Sequence, residues 1–157
     1  MRAGIGYDVH PLCAGRPLIL GGVQIPFPSG LKGHSDADVL VHAIIDALLG
    51  AAALGDVGSH FPPEDPRFLG ISSLLLLRQV NDLLVQVGYT ILNIDSIIVA
   101  QAPRLAPYIQ MMCQNIAGAL KLEANLVSVK ATTTEKLGFT GKGEGIAAQA
   151  IAMLIKR

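Results

Sequence analysis

The sequence predicts one α/β or α+β domain built on a mixed β-sheet with helices packed on one face. Three observations lead there. Short β-rich runs alternate with runs of helical period along the chain. Glycines and prolines punctuate the boundaries between them. No repeat, low-complexity tract or change of composition divides the 157 residues, a length suited to a single core.

Taken in order, Arg2 to Val9 alternates and ends at His10-Pro11, which predicts a first strand. Pro17 to Phe27 is β-rich and interrupted by Gly21-Gly22, as in a hairpin or bent ribbon. Ser35 or Asp36 can cap a helix that runs to about Leu54 and stops at Gly55. Gly58 to Gly70, rich in proline, predicts a loop, and Ile71 to Val87 a second helix ending at Gly88. Tyr89 to Gln101 reads as a strand, Pro107 to Leu120 as a third helix opening on a tolerated first-turn proline, and Leu126 to Thr132 as a strand. Gly138 to Gly143 reads as a glycine-rich hairpin or loop. Gly145 to Ile155 is so apolar that periodicity alone allows helix or buried strand.

Composition narrows the function. Net charge is zero, with 12 basic and 12 acidic residues, so no global field draws in nucleic acid or anionic membrane. Apolar residues make up 51% and charged residues 15%, against about 25% charged in an average domain. The most apolar stretch, Ala37 to Leu54, carries Asp38, His42 and Asp46, so it falls short of the roughly 18 uncharged residues a membrane span needs. The apolar excess therefore points to a buried subunit interface. The N-terminus has neither a signal-peptide nor a transit-peptide pattern. Cys13 and Cys113 form no metal-binding pair and suggest a reduced, cytoplasmic chain, a pairing between them being the alternative.

Asp8 and His10 are two apart on a predicted strand and share a face. Asp38, His42 and Asp46, spaced by four, form one polar stripe on an otherwise apolar helix. A carboxylate and two imidazoles suit catalytic zinc, leaving a fourth position for water or substrate. Each motif also has a plain reading: D-x-H as a structural or solvent-exposed pair, His42 as a core histidine with its bonds satisfied. Gly33-His34-Ser35-Asp36 leads into the same helix, where free N–H groups favour an anion, or simply cap the helix. Thr132, Thr133, Thr134 and Glu135, followed by Gly138 to Gly143, offer hydroxyls, loop N–H groups and lysines that could cradle a diphosphate, with Glu135 holding a hard cation. The alternative is an ordinary glycine-rich hairpin.

Four blocks, G-Y-D-V-H at Gly6–His10, G-H-S-D-A-D-V-L-x-H-A at Gly33–Ala43, D-A-L-L-G-A at Asp46–Ala51 and K-A-T-T-T-E-K-L-G-F-T-G at Lys130–Gly141, closely resemble the 2-C-methyl-D-erythritol 2,4-cyclodiphosphate synthase family. The resemblance spans nearly the whole chain in order. It implies conversion of 4-diphosphocytidyl-2-C-methyl-D-erythritol 2-phosphate to the cyclic diphosphate plus CMP. It implies zinc on Asp8, His10 and His42, and magnesium or manganese on Glu135. His34 and Thr133 become transition-state stabilisers. Asp56 and Gly58 become partners of the methylerythritol moiety. Ala100, Pro103, Arg104, Leu105 and Ala106, with Thr132 and Thr133, become a cytidine pocket. Ser35, Phe61, Asp65, Thr134, Phe139 and Lys142 become further substrate contacts. It also implies a homotrimer with sites between subunits, and a strand at Gly145–Ile155.

Asp46, one turn beyond His42, is the expected partner orienting that imidazole. Three departures from the family pattern stand out: Lys142 for arginine, Arg104 for lysine, and Pro63-Glu64 for Asp-Thr. The first exchanges a bidentate fork for a point charge. Two rivals remain: a zinc phosphohydrolase using metal-bound water on the same ligands, and a non-catalytic trimer stabilised by metal.

Overall fold

The computed structural model describes residues 1–157. In chain order the strands are β1 (Arg2–Ala14), β2 (Leu18–Leu20), β3 (Val23–Ile25), β4 (Ser29–Leu31), β5 (Tyr89–Val99), β6 (Val127–Thr132) and β7 (Gly145–Lys156). The helices are α1 (Val39–Ala52), the one-turn α2 (Val57–His60), α3 (Ser73–Gln86), α4 (Ile109–Leu120) and the one-turn α5 (Gly138–Gly141). Five strands form a mixed sheet in the order β4-β1-β7-β5-β6, in which only β5 and β6 run parallel. That parallel pair is joined through α4, as a crossover connection requires. β2 and β3 form the expected hairpin, turned at Gly21 and Gly22, both in the left-handed region.

β1 is longer than the alternation suggested because it changes partner. It pairs with β7 as far as Pro11 and with β4 from Leu12 onward, so the missing proline N–H falls at the exchange point. The ambiguous C-terminal run is a strand, β7, at the centre of the sheet.

α1 begins later than the sequence suggested. Its N-cap is Asp38, not Ser35 or Asp36, and its C-cap is Ala53 in the left-handed region, two residues before Gly55. The delay follows from Ala37, which also adopts a left-handed conformation and keeps the preceding residues out of the helix. Pro107 lies in a 3-10 turn that leads into α4. Gly138–Gly141 is a helical turn, not a hairpin, because Leu137, Gly138 and Thr140 supply the carbonyls that Gly141, Lys142 and Gly143 bond.

Along α1 only His42, Asp46 and Gly50 escape burial, so the helix is apolar all round except for one stripe at intervals of four. The flank of α1 next to that stripe, which carries Ala43 and Ala47, lies close on β1 because Gly4 and Gly6 face it. A Cβ on Gly6 would collide with the Ala43 carbonyl oxygen, and one on Gly4 with that of Ala47. This close approach brings His42 beside Asp8 and His10, which follow Gly6 on the same face of β1. Gly6→Ala is therefore expected to destabilise the fold by about 3 kcal/mol, since backbone cannot yield as a side chain would. Gly50→Ala is the control: its Cβ meets nothing nearer than 3.9 Å, so the change should be neutral or stabilising. Equal unfolding midpoints for the two variants would contradict this packing.

α1, α3 and α4 cover one face of the sheet and close a core that contains Leu40, Ile44, Leu48, Leu77, Ile94 and Ile98. The other face is open and apolar: Ile5 is 72% exposed, Tyr7 51% and Ile151 50%. Cys13 and Cys113 are both free thiols. No helix is long and apolar enough to cross a membrane.

Candidate active site

Asp8, His10 and His42 converge at one point. Asp8 Oδ2 lies 2.9 Å from His10 Nε2 and 3.1 Å from His42 Nδ1, and the two imidazole nitrogens are 3.3 Å apart. All three side chains are largely buried but reachable, with relative exposures of 25%, 19% and 13%. One carboxylate oxygen and two imidazole nitrogens within mutual reach are a donor set suited to a divalent metal.

Second contacts prepare the donors. His10 Nδ1 donates to the Lys32 carbonyl at 2.9 Å, which turns Nε2 toward Asp8. Burial alone would raise the Asp8 pKa, but its bonds to His10 and His42 prevail and hold the carboxyl down at about 2. For His42 burial opposes charge, yet the bond to Asp8, with the charges of Asp8, Asp38 and Asp36, raises its pKa above the ordinary imidazole value. Asp8 is therefore an ionised carboxylate at neutral pH.

The polar stripe on α1 is only partly what the spacing suggested. Asp38 is fully buried and turns away, accepting from the backbone N–H groups of Gly21, Gly22 and Val41. Burial, reinforced by the nearby Asp36 carboxylate, pushes it up to about 6. It fills the anion position at the helix N-terminus, so that terminus is already capped from within. Asp46 does not orient His42: its carboxylate accepts from Val57 N–H at 2.7 Å and ties α2 to α1. His42 Nε2 instead meets Ser73 Oγ at 2.9 Å and Ser35 Oγ at 3.2 Å. Ser73 had no sequence signal beyond sitting near a helix start, because its partner lies 31 residues away.

Asp8, His10, His34, Ser35, His42, Gly58 and Phe61 line one cleft of about 240 Å³, joined by Val57, Pro63, Phe68 and Leu76. His34 donates from Nε2 to the Asp65 carbonyl at 3.0 Å. The Asp65 carboxylate itself is held by Arg67, and Asp56 caps α2 through Ser59. Arg16, unmarked in the sequence, donates to the carbonyls of Gly33 at 2.9 Å and Ser35 at 2.8 Å, gripping the backbone on both sides of His34.

A second cleft of about 400 Å³ gathers Ala100, Pro103, Arg104, Leu105, Ala106, Thr132 and Thr133, with Gln101 and Ala131. It shares no lining residue with the first. Thr134 braces the following loop, donating to the Leu137 carbonyl at 2.6 Å and accepting from Thr140. Glu135 and Lys136 both adopt positive φ in that loop, a conformation costly for non-glycine residues. Gly141 permits the tight fold-back, since a Cβ there would strike the Lys136 backbone. Glu135 is exposed, with Oε1 3.5 Å from Thr133 Oγ1. Lys142 is exposed just after α5, and Phe139 lines a third cavity of about 370 Å³ with Val9, His10, Pro11, Glu144 and Gly145.

Comparisons with known proteins agree along the full length. The model of the YgbB family matches residues 1–155. A protein of Desulfitobacterium hafniense named 2-C-methyl-D-erythritol 2,4-cyclodiphosphate synthase is 64% identical over 156 residues, covering 99% of both chains. One of the same name from Pelotomaculum thermopropionicum is 62% identical over 156 residues, covering 99% of this chain and 96% of its own. Among solved structures, the bifunctional IspDF of Campylobacter jejuni superposes with a TM-score of 0.96 at 46% identity. The match covers 99% of this chain and 42% of that longer one. The Plasmodium falciparum IspF in complex with CDP gives 0.87 at 33% identity, covering 99% and 96%. With the family's model matched from the first residue almost to the last, this chain belongs to the YgbB family.

Proposed function

We propose that the protein is a phosphorus–oxygen lyase of the non-mevalonate isoprenoid pathway, closing 4-diphosphocytidyl-2-C-methyl-D-erythritol 2-phosphate to 2-C-methyl-D-erythritol 2,4-cyclodiphosphate with release of CMP. The observation that carries this reading is end-to-end identity above 60% with proteins named for that reaction. It is a single-domain enzyme acting in the cytoplasm, a site that suits its two unpaired cysteines.

An oxygen of the substrate's 2-phosphate forms a bond to the β-phosphorus while the bond from that phosphorus to the bridging oxygen breaks. CMP leaves with the electron pair. No protein nucleophile is required, so the chain's work is positioning and neutralisation of charge. Asp8, His10 and His42 would hold zinc, which supplies Lewis-acid stabilisation to phosphate oxygens. Glu135 would hold magnesium or manganese, which would supply neutralisation of the diphosphate's charge.

His34 is oriented by its Nε2–H bond to Asp65 and by the grip of Arg16 on its neighbours. Its second nitrogen, Nδ1, when protonated donates to a phosphoryl oxygen, and the Thr133 hydroxyl supplies another donor. Ser35, Phe61, Asp65, Thr134, Phe139 and Lys142 complete the substrate contacts. Gly58 and Asp56 hold the methylerythritol moiety. Ala100 to Ala106 with Thr132 and Thr133 receive the cytidine.

The two clefts of one chain are halves of different sites. Copies associate as a homotrimer through the apolar sheet face carrying Ile5, Tyr7 and Ile151, pairing the metal cleft of one chain with the nucleotide cleft of its neighbour.

Incubation with the cytidine diphosphate substrate in oxygen-18 water tests the reaction by mass. CMP and an unlabelled ring diphosphate are expected. Label entering a product at phosphorus would instead identify a hydrolase using the same ligands. Absence of turnover, with unfolding on metal removal, would identify a purely structural metal.

A further inference from the structure

We propose that Ser73, backed by Asp36, is a positioning residue that locks His42 in the tautomer presenting Nδ1 to the metal. This rests on the reading of Asp8, His10 and His42 as metal ligands. The Asp36 carboxylate collects three donors: Ser73 N–H at 2.9 Å, Asp38 N–H at 3.1 Å and the Ser73 hydroxyl. An ionised carboxylate can only accept, so the Ser73 proton points at Asp36. Ser73 Oγ therefore turns a lone pair to His42 Nε2, 2.9 Å away. A bare Nε2 at that distance would set two lone pairs against each other, so Nε2 must carry the proton.

The consequence reaches the other edge of the ring. With Nε2 protonated, the nitrogen that His42 can offer a metal is Nδ1, the atom 3.1 Å from Asp8 Oδ2. His10 is fixed in the opposite sense, its Nδ1–H held by the Lys32 carbonyl so that Nε2 is free. The two histidines thus ligate through different nitrogens, each chosen by a bond on the far side of its ring. Ser35 Oγ also lies 3.2 Å from Nε2, but it accepts from Ala37 N–H and nothing forces its own proton away from His42. Ser73 is the contact with a determined direction. It is fully buried at the first turn of α3, so water cannot substitute for it.

Zinc affinity, measured by competition with a chelator, tests this in the folded protein. Ser73→Ala should bind zinc about 10- to 100-fold more weakly than wild type, the range found when an orienting partner is removed. The fold should survive, because the backbone N–H of residue 73 still reaches Asp36 and alanine suits a helix start. Asp36→Asn should weaken binding less, since it merely permits the hydroxyl to reverse. The double variant should be no weaker than Ser73→Ala, because Asp36 acts on zinc only through that hydroxyl. Additive losses would remove Asp36 from the relay.

Nitrogen-15 spectra of the zinc-loaded wild type give a reading that needs no variant. They should show His42 protonated at Nε2 and metal-bound at Nδ1, with His10 reversed. A proton on Nδ1 of His42, or unchanged affinity in Ser73→Ala, overturns the proposal while leaving the metal site intact. A wild-type protein that takes up no zinc at this cluster overturns the reading beneath it instead.

Discussion

His42→Ala is expected to lose bound zinc and turnover together while keeping its fold. The side chain supplies one of three donors, so its loss should lower zinc affinity by at least about 100-fold, the upper end of what removing a mere orienting partner costs. Elsewhere α1 is held by apolar burial from Val39 to Ala52, and alanine is the best helix former, so helix content should be unchanged. Zinc content by metal analysis and helix content by circular dichroism are the two measurements. Full zinc occupancy in the variant would remove His42 from the ligand set. Unfolding would mean that the cluster is chiefly structural, as in the rival reading of a metal-stabilised trimer.

The second large effect is a recovery. Ala106→Trp should abolish turnover by filling the nucleotide cleft, and it is better placed for this than a change at Ala100. Ala106 is exposed at the cleft, whereas Ala100 is 6% exposed and would force a tryptophan into the core. Neither His42→Ala nor Ala106→Trp alone should be active. Unfolded together in equal amounts and refolded, random association should pair two intact halves at about one quarter of interfaces in a closed ring. Activity near that fraction of wild type is the expected result. Background activity in verified mixed trimers would mean that each chain completes its own site, leaving the open face around Ile5 and Ile151 a role in burial alone.

Much of this molecule is written locally. Alternation in β1 and β5, the Gly21-Gly22 turn and the helix periods of α3 and α4 all come from interactions between near neighbours. They are legible in the sequence itself. The candidate ligands were legible too, because a strand face repeats every two residues and a helix face about every four, which aligned Asp8 with His10 and marked the stripe holding His42. Resemblance to a family placed these residues in one site and made the apolar C-terminal run a strand.

What only the tertiary structure decided is which polar group answers which. Asp38 and Asp46 share the α1 stripe in sequence, yet one is withdrawn to the Gly21-Gly22 turn and the other to the start of α2. Ser73 and Asp36, 37 residues apart, took the place assigned to Asp46. Arg16 reached the loop around His34 without any motif to announce it. Gly4 and Gly6 set the distance between β1 and α1, and so the distance between Asp8 and His42. The physical reason is common to these cases. Periodicity reports the direction a side chain leaves its own backbone, whereas a hydrogen bond depends on a partner brought near by packing. A buried carboxylate takes whichever N–H groups the assembled core leaves unpaired, and only the folded chain determines which those are.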